Sequence, residues 1–149
     1  MSERILIVDD DAPVRRMLAR TIAAEGYAVD EAGDGGAALI AVDRASPDLV
    51  VLDVAMPGLD GIEVCRRVRQ LSIDFRPVMV ALSGWGREED RRRTTEAGFD
   101  HHLVKPVAMK KVRDLLQSVL LVRRDLQSKS ELALSSAGTT CSPVALVSD

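Results

Sequence analysis

Short apolar runs in this chain end in residues able to do chemistry. Ile5-Leu6-Ile7-Val8 runs into Asp9-Asp10, and Val50-Val51-Leu52 runs into Asp53. Val78-Met79-Val80-Ala81-Leu82 runs into Ser83, and Leu103-Val104 into Lys105. A strand buried on both faces offers no partner to a charge, so each of these polar residues belongs where its strand leaves the sheet. Asp53 is the sharpest case, because the Pro57-Gly58 turn signal follows it closely. In an open α/β sheet, ligands bind outside the carboxyl ends of the strands. Three carboxylates in one crevice would repel and raise one another's pKa. The simplest compensation is a hard divalent cation, Mg²⁺, which takes carboxylate, water and phosphate oxygens. A cation beside a carboxylate nucleophile, a hydroxyl and an ammonium makes a phosphoryl-transfer site. Asp53 would attack phosphorus to form an acyl phosphate, with Mg²⁺, Lys105 and the Ser83 hydroxyl stabilising charge on the transferring oxygens.

The elements that must position these groups are legible in the periodicity. After the first apolar run, Asp11 is placed to cap a helix with Pro13 in its first turn and Val14, Met17, Leu18, Thr21 and Ile22 at helical spacing; Gly26 stops it. Residues 27–32 read as a weaker, charged strand suited to a sheet edge. Asp34-Gly35-Gly36 opens a second helix that ends at Ser46-Pro47. The central strand at 49–53 is followed by a third helix from Gly61 to Leu71, with Ile62, Val64, Cys65, Val68 and Leu71 as its apolar set. The fourth strand leads to a polar helix in which acids Glu88-Glu89-Asp90 precede Arg91-Arg92-Arg93. The spacing predicts i,i+4 pairs Glu88/Arg92 and Glu89/Arg93, and makes the arginine run a solvated face. Asp100 to Val104 gives the fifth strand. A last helix begins near Ala108, with Val112, Leu115, Leu116, Val119 and Leu120 on one face.

Five strands alternating with five helices predict a doubly wound parallel sheet of order 2-1-3-4-5, with right-handed crossovers. In that order strands 1 and 3 flank the topological switch point, so Asp9, Asp10 and Asp53 converge. The expected organisation is one domain over residues 1–124 and a largely disordered, Ser- and Ala-rich tail over 125–149. A net charge of -3 gives no reason to expect direct nucleic-acid binding. No run approaches the ~18 apolar residues of a membrane span, and the N-terminus has no signal-peptide pattern. Cys65 and Cys141 fit no metal or redox spacing and read as reduced thiols. These features predict a soluble, cytoplasmic protein. The absence of G-x-G-x-x-G and of G-x-x-x-x-G-K excludes dinucleotide and P-loop sites.

Val8-Asp9-Asp10, Leu52-Asp53-Val54-Ala55-Met56-Pro57-Gly58-Leu59-Asp60-Gly61, Leu82-Ser83-Gly84 and Leu103-Val104-Lys105-Pro106 together resemble the receiver domain of bacterial two-component response regulators. The likeness runs over residues ~4–123 and implies a flavodoxin-like fold. It implies that Asp53 accepts phosphate from the phosphohistidine of a histidine kinase or histidine phosphotransfer protein. It also implies Mg²⁺ held by Asp10, Asp53 and the Ala55 carbonyl, with Asp9 acting through water. By the same resemblance Lys105 pairs with the phosphoryl group, Ser83 moves to hydrogen-bond it, and Lys105-Pro106 is a cis-peptide site. Two departures stand out. His102 occupies the place of the family's aromatic switch side chain, and is expected to couple to Ser83 with added pH sensitivity. Ala55 is small where many relatives carry a larger polar residue, while Trp85 adds bulk nearby.

The expected function is a stand-alone phosphoacceptor that switches protein–protein contacts with a downstream partner, as a monomer or as a phosphorylation-dependent dimer. Its own chemistry would be limited to self-phosphorylation and autodephosphorylation. The alternative is a phosphate shuttle or a receiver module within a hybrid histidine kinase phosphorelay; residues 84–106 resemble receivers fused to such kinases. A phosphohydrolase acting on small phosphoesters is disfavoured, because position 55 is Ala rather than the second Asp such chemistry uses as general acid.

Overall fold

The computed structural model describes residues 3–71, 76–84 and 88–121. Trp85, Cys141 and the expected tail at 125–149 lie outside the described residues. Strands β1 (Arg4–Val8), β2 (Ala28–Ala32), β3 (Leu49–Asp53), β4 (Val78–Ser83) and β5 (His101–Val104) alternate with helices α1 (Ala12–Ala24), α2 (Gly35–Ala45), α3 (Gly61–Gln70) and α4 (Glu88–Ala97). A fifth helix, α5, covers residues 109–121. All strand pairs are parallel, in the order β2-β1-β3-β4-β5. The doubly wound sheet predicted from the alternation is therefore the observed one.

Two compact units are distinguished, one ending at Met109 and one beginning at Lys110. In the first, β1, β3 and β4 are the buried strands: Ile5 to Val8, Leu49 to Leu52 and Met79 to Leu82 are all within 3% of full burial. Continuous Val/Ile/Leu runs suit strands covered on both faces. Edge strand β2 keeps Asp30 and Glu31 partly or largely exposed. In the second, Val112, Leu116 and Leu120 are buried at helical spacing. No helix among the described residues is long and apolar enough to cross a membrane.

Aspartates cap three helices. Asp11 accepts from the Val14 amide, Asp34 from Ala37 and Asp60 from Glu63. Each satisfies a backbone donor that the first helical turn leaves without a partner. The caps matter for the site because Asp11 and Asp60 bracket the loops that carry Asp9–Asp10 and Asp53–Ala55.

Three expectations need correction. Met17 and Leu71 belong to the apolar periodicity, yet they are 52% and 40% exposed. The buried stripe of α1 is Leu18, Ala19 and Ile22, rotated away from Met17, and Leu71 is the extended residue that ends α3 rather than part of its last turn. The anticipated Glu88/Arg92 and Glu89/Arg93 ion pairs do not form within 4.0 Å among the described residues. The i,i+4 pair that does form is Glu63–Arg67 on α3, at 3.8 Å. Exposed pairs of this kind gain too little to hold long side chains in one geometry.

Candidate functional site

The site is built where β1 and β3 part at the switch point. Val8 pairs with Leu52 in register, so Asp9 and Asp53 are the next residues along neighbouring strands. Ligand oxygens of Asp9, Asp10 and Asp53 lie within 4.8 Å of one another. Lys105 follows β5, and its Nζ reaches 3.1 Å from Asp9 Oδ2 and 3.2 Å from Asp53 Oδ2. Its backbone N–H donates to the Ser83 carbonyl, which ties the ends of β4 and β5 together beneath that reach. The Lys105–Pro106 peptide bond is cis.

The three carboxylates differ in environment. Asp9 is fully buried, with Oδ1 accepting from the Asp11 amide at 3.0 Å and Oδ2 from Lys105. Asp53 is 4% exposed, with Oδ1 accepting from the Ala55 amide at 3.2 Å. Asp10 faces solvent. Burial, and then the charge of Asp9, push the Asp53 carboxyl up to about 6, against the opposing pull of Lys105. For Lys105 itself, burial works against the charged form. The Asp9 hydrogen bond and the charges of Asp53 and Asp9 outweigh it, so its pKa rises. Three carboxylates facing one ammonium leave the crevice short of positive charge. Hard oxygen ligands in such a crevice fit a divalent cation of the Mg²⁺ class, with exposed Asp10 on the side open to solvent. A bound cation would act as a Lewis acid on phosphoryl oxygens.

Glycine makes the Asp53 turn possible. A Cβ at Gly61 would lie 2.3 Å from the Asp53 carbonyl oxygen and 2.8 Å from Val54 Cα. Only a residue without a side chain lets α3 start this close behind Asp53. Gly61 N–H also donates to the Val54 carbonyl at 3.0 Å, closing the loop.

Ser83 is buried at the end of β4 and, with Ala55, Met56, Arg93 and Thr94, lines a cleft of about 480 Å³ beside the Asp53 loop. His102 of β5 pairs with Ala81 of β4, two positions short of the Ser83 level and on the same face. Its Nδ1 lies 3.2 Å from Oγ1 of Thr94, a 2% exposed residue of α4. The Thr94 hydroxyl also donates to the Arg91 carbonyl at 2.9 Å. Cys65 is a buried free thiol pushed up to about 11 by burial, in keeping with core filling.

The fold thus brings Asp9, Asp10, Asp53 and Lys105 together, with Ala55 and Ser83 on the adjoining cleft and His102 turned to α4. Sequence reasoning passed over Thr94 and Arg15. Thr94 is signalled only faintly, as one of two small residues with Ala97 on the inward face of an otherwise charged helix. Arg15 reads as surface in sequence. In the structure its guanidinium donates to the Asp9 carbonyl at 2.9 Å and to Glu31 at 3.0 Å.

Comparison with known proteins agrees with this geometry. A family model described as the response regulator receiver domain matches residues 5–117. The chain is 39% identical over 141 residues to response regulator MprA of Mycobacterium leprae (strain TN), covering 95% of this chain and 61% of that protein. It is 41% identical over 125 residues to the transcriptional regulatory protein ResD of Bacillus subtilis (strain 168), covering 84% of this chain and 50% of that one. The chain therefore spans roughly half to three fifths of the curated relatives it matches. Among solved structures, chemotaxis protein CheY4 of Vibrio cholerae superposes with a TM-score of 0.75 at 31% identity, covering 80% of this chain and 99% of that one. A CheY-like receiver domain protein from Methanospirillum hungatei JF-1 gives 0.72 at 28% identity, covering 87% and 99%. A five-stranded 2-1-3-4-5 sheet with its acidic cluster at the switch point, matched in sequence over most of its length, places this chain in the receiver domain family of two-component response regulators.

Proposed function

We propose that Asp53 is a phosphoacceptor, and that its phosphorylation switches the chain's affinity for a downstream protein. One observation carries this reading: the Asp9, Asp10 and Asp53 oxygens lie within 4.8 Å of one another, with Lys105 bridging two of them at the carboxyl edge of the sheet. The donor is a phosphohistidine of a histidine kinase or a histidine phosphotransfer protein. An Asp53 oxygen attacks phosphorus, the P–N bond breaks, and the imidazole leaves with its electron pair and takes up a proton. The product is an acyl phosphate on Asp53. Lys105 holds and neutralises a phosphoryl oxygen, and the Ser83 hydroxyl donates to another. Asp10, Asp53 and the Ala55 carbonyl are the candidate direct Mg²⁺ ligands. Asp9, the fully buried member of the cluster, acts through water.

The chain is a signalling protein of the cytoplasm rather than a turnover enzyme, working as a monomer or as a dimer formed on phosphorylation. A second reading, a receiver serving a longer regulator or relay, is favoured by the greater length of the matched relatives. Intact mass after incubation with a small acyl-phosphate donor tests the chemistry. A gain of one phosphoryl group that requires Mg²⁺ and is absent in Asp53→Asn is expected. No gain in the wild type under any donor and metal condition would overturn the reading.

A further inference from the structure

Arg15 sits on the first turns of α1, only 16% of its side chain exposed, and faces back toward β1 and β2. It makes two directed contacts. Nη1–H donates to the main-chain carbonyl of Asp9, and Nε–H donates to Glu31 Oε1. A planar guanidinium that donates in two fixed directions is a rigid strut between its acceptors. The Cβ direction of Gly33 points at the same guanidinium, with only 3.2 Å to Nη1, so the connection after β2 closes the strut on its other side.

The Asp9 carbonyl belongs to the peptide plane that joins Asp9 to Asp10. That plane constrains the direction in which the Asp10 Cα–Cβ bond leaves the chain, because the peptide is planar and only the φ rotation of Asp10 lies between them. The rest of Asp9 is already fixed. Its N–H donates to the Ala32 carbonyl at 3.2 Å, Oδ1 accepts from Asp11, and Oδ2 accepts from Lys105. Asp10 is exposed, so among the three clustered carboxylates it depends most on its backbone for aim. We propose that Arg15 is a positioning residue for the cation site: it clamps the Asp9–Asp10 peptide and thereby aims the Asp10 carboxylate at the divalent ion. The inference rests on the phosphoacceptor reading of the acidic cluster.

The sign of one effect separates positioning from plain electrostatics. A guanidinium near an acidic cluster repels an incoming cation, so loss of its charge alone would tighten Mg²⁺ binding. Loss of the clamp would weaken it. Groups that hold a metal ligand in place are worth 10–100-fold in affinity. Mg²⁺ affinity measured by titration calorimetry on the full chain, with folding checked by circular dichroism and urea midpoint, decides between them. Arg15→Gln is expected to weaken Mg²⁺ binding about tenfold. Arg15→Lys keeps the charge without the fork and is expected to weaken it to a similar degree. Glu31→Gln removes the other end of the strut but leaves the Asp9 carbonyl contact available, so it should lower the urea midpoint with a smaller change in affinity. Unchanged or tighter Mg²⁺ binding in both Arg15 variants, with the fold intact, would overturn the clamp. If the wild type itself takes up no Mg²⁺, the failure lies with the phosphoacceptor reading instead.

Discussion

The two ends of the sheet use the same kinds of side chain to opposite effect. At the amino end, Arg69 donates Nε–H to the Gly98 carbonyl at 2.9 Å, Nη1–H to Pro77 at 2.8 Å and Nη2–H to Asp100 Oδ2 at 2.7 Å. Asp100 also accepts from the Met79 amide at 2.9 Å. One cation meets one anion there, and the remaining donors meet carbonyls from the entries to β4 and β5. At the carboxyl end, one lysine serves a cluster of three carboxylates. The amino end is electrically closed and structural. The carboxyl end is left short of positive charge, and burial, then the charge of Asp9, push its Asp53 carboxyl up to about 6. A balanced network holds a fold together, whereas an unbalanced one leaves charge to be answered from outside the chain.

Removing the cation at the closed end is the strongest way to break this contrast. Arg69→Ala strands two carbonyls and leaves Asp100 without its ion-pair partner, and should cost roughly 2–4 kcal/mol. Urea unfolding measures the loss. Phosphoryl acceptance by the folded fraction should remain, which would confine the damage to the amino end.

The opposite change at the open end should stabilise. Asp53 has a folded pKa of about 6 against an ordinary 3.8. Between those values the folded state holds the proton more tightly than the unfolded state. The favourable contribution is therefore fully present below pH ~4 and is lost as pH rises through ~6. Asp53→Asn, which has no proton to lose, should exceed the wild type in stability at pH 7 by roughly 1–3 kcal/mol without metal, with the gap closing toward pH 4. Parallel stability curves for the two proteins from pH 4 to 7 would sink this account of the cluster.

The smallest effect belongs to the amino end. Ser46, the residue after α2, holds φ 47 and ψ 59, the left-handed region. Ser46→Gly relieves the Cβ penalty at a helix terminus and should raise stability by roughly 0.5–1 kcal/mol. Thermal denaturation reads it, and phosphoryl acceptance should not change.

Much of the fold was legible before any coordinates. A run such as Leu49 to Leu52 tolerates no charge, so Asp53 had to mark its exit, and the same logic placed Asp9 and Ser83. Alternation with amphipathic segments left a parallel sheet as the economical solution, and Asp11 and Asp34 marked where the first two helices begin. Met17 and Leu71 were misplaced because helical spacing gives a stripe without its exact rotation, and because a terminal residue shares the period without sharing the burial. The arginine run on α4 suggested pairs with its own glutamates, but local spacing says nothing of the solvent that competes for exposed charges.

What the sequence by itself determined is the set of strands, their parallel alternation and the acidic residues at their ends, since burial and periodicity act within a few residues. What only the tertiary structure decided is which distant groups answer those residues. Lys105 meets Asp9 across 96 positions, and Arg69 meets Asp100 across 31. Arg15 finds the Asp9 carbonyl only six positions away, but the second acceptor of its fork, Glu31, lies 16 positions away and is brought alongside by β2. Hydrogen-bond partners are selected by closure of the chain in space, and a linear pattern carries the donors and acceptors without the geometry that pairs them.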